Sequence, residues 1–439
     1  MPEVSRRSLL KFAAVAGFAG TTAACAGVGG GSGGGDGDSS GDGAATLRYG
    51  WWGNNIRQEN YTNALNEFMG DNPEISIELE FAEYTAFQER MTTQMAARNV
   101  PDLFWVPSAQ VMTYYVGDLF HDLDGISTLD LSDYSADDID GLRLDGKHNT
   151  MALGIFVPVL RYNATFAEED GITLPEGTDW TWDGFAEFAI DYAANNANGR
   201  WAVNYGADQD LPFEAWLRQR GELLWTEDGQ MGFTADGLAS WFDWWENLRK
   251  AGATPSISEQ DGVSADWSLI GDKALTNFGN SNHIIDDAQF FPDFTFKLRN
   301  MPVAADAAAG HAYLYTPRVA IYGGIDEANI EAAGAVLNYN TNSTDMLRIV
   351  GLTIGAPVNP RVAEEVKEFA SPDDQQMLDA VAAERAAERN PRFEAPAGSS
   401  TWRSIMTRVA EEVALERSTT TDAAAKMIAE IQTALDRAS

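Results

Sequence analysis

The residues able to do covalent or redox chemistry in this 439-residue chain are few. Cys25 is the only cysteine, so no disulfide can form within the chain, and one thiol alone is a poor basis for a metal site or a redox pair. The four histidines, His121, His148, His283 and His311, stand apart, and none begins a His-Glu-x-x-His pattern. A nucleophile with its base and a metal cluster therefore have no signature here. A pair of facing carboxylates stays open, because any two of 66 Asp and Glu can meet in space. The larger resource is aromatic, with 13 tryptophans. Trp241 and Trp245 fall on a helical stripe with Leu238, Phe242 and Leu248 and are expected in the core. Tryptophans at strand ends differ, since the ends of parallel strands face a ligand crevice. By that rule Trp51, Trp52 and Trp105 are candidates to touch a ligand.

Cys25 is explained by its position. Arg6 and Arg7 precede a weakly apolar stretch of 11 residues, 12–22, whereas a spanning helix needs about 20. Paired arginines before such a stretch are the build of a twin-arginine export signal. Thr22, Ala23 and Ala24 then lead into Cys25 as the small residues before a lipidated cysteine do. From residue 26 to 45, 10 of 20 positions are Gly and most others Ser, Asp or Ala, a composition that cannot bury enough apolar surface to order itself. The expectation is a signal over 1–24, lipidation at Cys25, and a tether over 25–45 that holds a soluble body at the outer face of a cell membrane. Glycine patterns inside this tether that mimic a dinucleotide fingerprint lack the strand and helix such a motif requires.

The charge balance sets the solvent. Against 66 Asp and Glu stand 30 Lys and Arg, a formal net charge of −36. In dilute salt such a surface repels itself; at about 1 M the Debye length shrinks to about 3 Å and the carboxylates act as hydrated surface. Acids are scattered along the whole chain, which reads as a halophile's protein. No basic stripe exists for a nucleic-acid partner.

The elements that must position the candidates alternate. LRYGWW is strand-like, a helix follows with Tyr61, Ala64, Leu65 and Phe68 on one face, and Ile75, Ile77, Leu79 and Phe81 alternate as a half-buried strand. A second helix carries Phe87, Met91 and Met95 before DLFWV returns as a strand, giving the strand-helix succession of an open, largely parallel sheet. GIFVPVLRYN is extended, but Pro158 argues against a central strand and suggests a crossing between lobes. A helix behind a Thr181 cap, a turn on Asp228 and Gly229, the Trp241 helix and an almost wholly helical stretch from Arg361 complete the pattern. Asn60, Asn163 and Asn342 begin N-x-[ST] triplets. No internal repeat is present.

In order and spacing, YGWWG, FQERMTTQMAARNVPDLFW, DGKHNTMALGIFVPVLRYNATFAEEDGI, TWDGFAEFA, PFEAWLRQRGELLW and GLTIGAPVNPRV resemble the family 1 extracellular solute-binding proteins of sugar ABC importers, over nearly the whole mature chain. The resemblance implies an α/β, two-lobed periplasmic-binding-protein-like fold. Each lobe would be a mostly parallel sheet flanked by helices, with three hinge crossings near 157–158, 301–303 and 356–358. The N-terminal lobe would then take 46–156 with 304–355, and the C-terminal lobe 157–303 with 356–439. It also implies a monomer that needs no cofactor or metal, holds a sugar in the cleft and delivers it to ABC transporter permease subunits. A pyranose offers an apolar face to aromatic rings and hydroxyls to polar side chains. Trp216, Trp267 and Trp402 sit where the family's second-lobe aromatics would fall, and Asn54, Ser108, Asn280 and Asn282 are the hydrogen-bonding candidates. Asp102, in the Pro-Asp pair, is expected to fix a turn. An exported glycoside-processing enzyme and a binder of another polar solute are the alternatives.

Overall fold

The computed structural model describes residues 45–174, 180–262 and 273–438. The stretch expected to be signal and tether lies outside the described residues up to position 44, with Arg6, Arg7 and Cys25, as does Trp267, whereas Ala45 opens the first strand. Among those described, no helix is long and apolar enough to cross a membrane.

Two large sheets organise the described residues, beside a two-stranded ribbon of Arg143–Leu144 and Lys147–His148. The first runs in the order Ile75–Ala82, Ala45–Trp52, Leu103–Val106, Arg318–Ile321, Met151–Ala152. The second runs Phe296–Asn300, Pro158–Asn163, Ala274–Asn280, Trp201–Val203. Both are mixed rather than mostly parallel. In the first, the two pairings of Ala45–Trp52 are parallel and those of Arg318–Ile321 antiparallel; in the second only Trp201–Val203 pairs in parallel.

In the first lobe the strand-helix-strand-helix-strand succession appears as read. Asn54 Oδ1 accepts the Arg57 amide at 2.8 Å and caps the Asn55–Asp71 helix. That helix buries Tyr61, Ala64, Leu65 and Phe68 against the sheet. Asp102 Oδ2 accepts from the Arg48 amide at 2.8 Å, which ties the start of the Leu103–Val106 strand to its neighbour.

The second lobe is built on aromatic packing. Trp182, Trp216, Trp241, Trp244 and Trp245 are all buried and meet at centroid separations between 5.0 and 6.2 Å. Three of their indole N–H groups find buried acceptors, Trp241 on the Ala207 carbonyl and Trp182 on Gln219 Oε1, both at 2.8 Å, and Trp244 on the Trp182 carbonyl at 3.3 Å. The Trp402–Ala414 and Thr420–Ala438 helices close this core.

Pro158 corrects the reading of its segment. It is the first residue of an interior strand, opposite Asn280, a place where a missing N–H costs no ladder bond. The lobes are joined just before it. Ile155 and Ala356 exchange backbone hydrogen bonds at 2.8 and 2.7 Å, and Phe156 and Tyr315 exchange a pair at 3.0 Å, so three strands of chain lie side by side between the sheets. Residues 301–303, expected to form a crossing, instead belong with the second lobe. Gln219 accepts from the Ala304 amide and donates to the Pro302 carbonyl, each at 3.0 Å, and Tyr313 OH donates to the Leu211 carbonyl at 2.7 Å. Gly355 sits at φ +114°, and a Cβ there would lie 2.3 Å from the Ile155 carbonyl oxygen. Only glycine lets these two crossings approach so closely.

Candidate functional site

Where the C-terminal ends of the first-lobe strands face the second lobe, the chain encloses a cavity of about 430 Å³. Its first-lobe wall is Trp52 and Asn54 after one strand, Glu83 and Tyr84 after the next, and Trp105 and Ser108 at the third. The crossings contribute Phe156, Tyr315 and Thr353. The second lobe adds Asn280, Asn282 and His283 from the turn between a strand and the His283–Phe290 helix, and Arg403 from the first turn of its helix. A larger depression of about 910 Å³ lies away from the strand ends, lined mainly by charged and amide groups such as Asp345, Arg348, Arg361 and Glu365. It is open to solvent and lacks a wall of aromatic rings beside polar groups, so the cavity at the strand ends is the better candidate.

The aromatic wall is held from behind. Trp52 packs edge-on against Trp105 at 5.1 Å and lies 5.4 Å from Tyr84 and 5.2 Å from Phe87. Trp105 Nε1 donates to Tyr49 OH at 2.9 Å, and that hydroxyl donates to Asn340 Oδ1 at 3.0 Å, which fixes the indole. Phe156 and Tyr315 stack at 4.9 Å across two crossings.

The polar floor spans the lobes. Asn54 Nδ2 donates to Asp286 Oδ1 at 3.2 Å, and the Arg57 guanidinium stands 3.6 Å from Asp286 Oδ2. Arg57 and Asn282 both donate to the Thr353 carbonyl, at 3.1 and 2.6 Å. Burial pushes the Asp286 carboxyl up, against the pull of Arg57 and Asn54. His283 is held well below the usual imidazole range by burial and by the nearby Arg161 and Arg57 charges, so it is neutral; Asn280 Nδ2 lies 3.3 Å from its Nε2. At the other end Arg403 ion-pairs with Asp210 and donates to Tyr84 OH at 3.0 Å, a second bridge between lobes. Three buried polar atoms of this floor have no hydrogen-bond partner among the described residues: Arg57 Nε, Asn282 Oδ1 and Thr353 Oγ1.

Of the residues expected from sequence, Trp52, Asn54, Trp105, Ser108, Asn280 and Asn282 line this cavity together. Three do not. Trp51 points to the opposite face of its strand and is fully buried against Tyr49, Tyr61 and Phe81, because neighbouring strand residues face opposite sides. Trp216 is absorbed in the second-lobe aromatic core. Trp402 is buried edge-on against Trp225, while its neighbour Arg403 reaches the cavity. Sequence reasoning missed Arg57, Tyr84, Phe156, His283, Tyr315, Thr353 and Arg403. Tyr84 follows a parallel strand and was within reach of the strand-end rule. Arg57 is one turn beyond the Asn54 cap, whereas the residues at the crossings carry no local signal.

Among the described residues no group of three or more His, Cys, Asp or Glu could hold a metal ion. Among the described residues that line the cavity Glu83 is the one carboxylate, and Asp286 bonds to the lining residue Asn54. What the wall offers is aromatic faces beside hydrogen-bonding groups.

Comparison with known proteins gives the same direction. Residues 63–377 match the family described as bacterial extracellular solute-binding protein. A periplasmic oligogalacturonide-binding protein from Yersinia enterocolitica, solved with saturated digalacturonic acid, aligns over 90% of this chain and 99% of its own at 16% identity, with a TM-score of 0.80. A periplasmic solute-binding protein from Pectobacterium atrosepticum aligns over 90% and 99% at 18% identity, TM-score 0.78. An ABC substrate-binding protein from Listeria monocytogenes, in complex with cycloalternan, aligns over 89% and 99% at 16% identity, TM-score 0.73.

Proposed function

This chain belongs to the bacterial extracellular solute-binding proteins, and we propose that it captures a saccharide in the interlobe cavity and delivers it to the permease of an ABC importer. The observation that carries this reading is the wall itself, where Trp52, Tyr84, Trp105, Phe156 and Tyr315 face amides and hydroxyls across about 430 Å³. Flat apolar rings beside paired donors and acceptors suit a ring sugar's two surfaces. Similar folds bind digalacturonic acid and cycloalternan, which supports the same ligand class. We take 45–154 with 318–353 as one lobe and 158–314 with 358–438 as the other, supported by the strands each sheet contains. Closure would turn about the ribbon of residues 155, 156, 315 and 356.

The same proposal includes export through Arg6 and Arg7, a lipid anchor at Cys25, a monomer working outside the cell, and a surface adapted to molar salt. It is supported by the leader's pattern and the −36 charge. The test is titration with a panel of mono- and oligosaccharides in molar sodium chloride. The expected result is a shift in tryptophan fluorescence, compaction in small-angle scattering, a higher melting temperature and sugar recovered intact. Absence of binding across the panel would overturn the reading, and cleavage of a bound sugar would replace it with the hydrolase.

A further inference from the structure

We propose that the cavity selects uncharged saccharides and rejects uronates, an inference that rests on the carbohydrate reading above. One similar fold holds an acidic sugar, and two arginines on this cavity's wall would at first suggest the same here. The geometry points the other way. Each arginine in and around the cavity already has a carboxylate of its own. Arg403 pairs with Asp210, Arg57 faces Asp286 at 3.6 Å, Arg161 beneath His283 pairs with Asp287, and Arg392 beside Tyr315 binds Glu214 through two contacts at 2.8 and 3.1 Å. The four carboxylates are themselves buried or nearly so. A sugar carboxylate could recruit Arg57 or Arg403 only by displacing Asp286 or Asp210, leaving that charge buried without its partner. The remaining wall carboxylate, Glu83, is exposed at the rim and repels an anion.

The unpaired atoms of the floor add an independent argument. Asn282 Oδ1 is a buried acceptor without a hydrogen-bond partner, Arg57 Nε is a buried donor, and Thr353 Oγ1 can do either. The Asn282 amide is oriented by its own donation to the Thr353 carbonyl at 2.6 Å, so its oxygen is the free end. A hydroxyl both donates and accepts, and two vicinal hydroxyls can meet this mixed set. An ionised carboxylate only accepts, and would leave Asn282 Oδ1 without the donor it needs.

The test pairs neutral saccharides with their acidic counterparts: di- and trisaccharides of the gluco and galacto series against the matching uronates, and digalacturonate against its methyl ester. Binding is measured by calorimetry in molar sodium chloride, where long-range repulsion by the −36 surface is screened and only the local selection remains. The expected result is that at least one neutral member binds and its uronate binds at least about 30-fold more weakly, the lower end of what leaving a buried charge unpaired costs at an interface. Asp286→Asn, which releases Arg57, should narrow that gap by about tenfold or more. A uronate binding as tightly as its neutral counterpart overturns the charge selection and leaves the carbohydrate reading standing. Failure of every saccharide, neutral and acidic, overturns both.

Discussion

Trp51 and Trp52 are adjacent in sequence and should give opposite phenotypes. Trp51 is wholly buried among Tyr49, Tyr61 and Phe81. Truncating such a side chain leaves a cavity and costs about 3–5 kcal/mol. Unfolding entropy near 2.1 cal/mol/K per residue, over about 400 residues, converts 4 kcal/mol into a melting point lower by about 5 °C. Trp51→Ala should therefore unfold at lower urea while its folded molecules bind with unchanged affinity. Trp52 is half-buried, packs edge-on against Trp105 and lines the cavity. Trp52→Ala should lose about 1–3 kcal/mol of binding, on the scale of a buried aromatic contact, which is about 5- to 150-fold in affinity. Its stability should fall by about 1–2 kcal/mol, since part of the ring is already in contact with solvent. Urea unfolding and calorimetric titration at one fixed molar salt concentration separate the two. If Trp51→Ala lost affinity at unchanged stability, or Trp52→Ala bound as tightly as the parent, the assignment of the two faces would be refuted.

Four further outcomes are expected. Gly355→Ala forces a Cβ to 2.3 Å from the Ile155 carbonyl at a positive φ, so it should destabilise by about 1–3 kcal/mol and disturb lobe closure; an unchanged melting point and scattering profile would remove the hinge role. His283 and His148 are both held below the usual imidazole range, first by burial. The unfolded chain then takes protons near pH 6.5 that the folded chain refuses, so stability is full above that pH and falls as pH drops below it, by up to about 1.4 kcal/mol per pH unit for each group. His283→Gln should flatten the slope of urea midpoints between pH 6.5 and 5, and an identical slope would show that His283 does not titrate as described. The −36 surface should lose its fold as sodium chloride is diluted below about 1 M, which a melting temperature flat from dilute to molar salt would contradict. Lysine at both Arg6 and Arg7 should trap the precursor inside the cell and Cys25→Ser should release the protein to the medium; unchanged fractionation of the latter would end the anchor hypothesis.

Much of the scaffold was legible because it is written in local periodicity. The helix behind the Asn54 cap and the alternating strand at residues 75–82 bury the residues their spacing predicts, and the strand-end rule brought Trp52 and Trp105 to the cavity. Asn163 and Asn342 show where local pattern stops: both begin glycosylation triplets, yet both are buried, one as a helix cap and the other donating to the Asp130 carbonyl at 2.8 Å. Pro158 excluded an interior strand in the sequence and starts one in the fold, because the rule concerns the ladder position and not the residue alone.

Composition and short-range pattern therefore carry the acidic balance, the order of helices and strands and many of the turns that end them, and they are the whole ground for expecting an export leader. What tertiary structure decided is which side of each element looks at a core and which at the cleft. Alternation puts Trp51 and Trp52 on opposite faces, but nothing local says which face the Asn55–Asp71 helix will cover. The pairing of Arg57 with Asp286, Arg403 with Asp210 and Phe156 with Tyr315 joins residues between 159 and 229 positions apart. Contacts at that separation depend on how two sheets and three crossings close around one another, and so leave no trace in the spacing of the residues that make them.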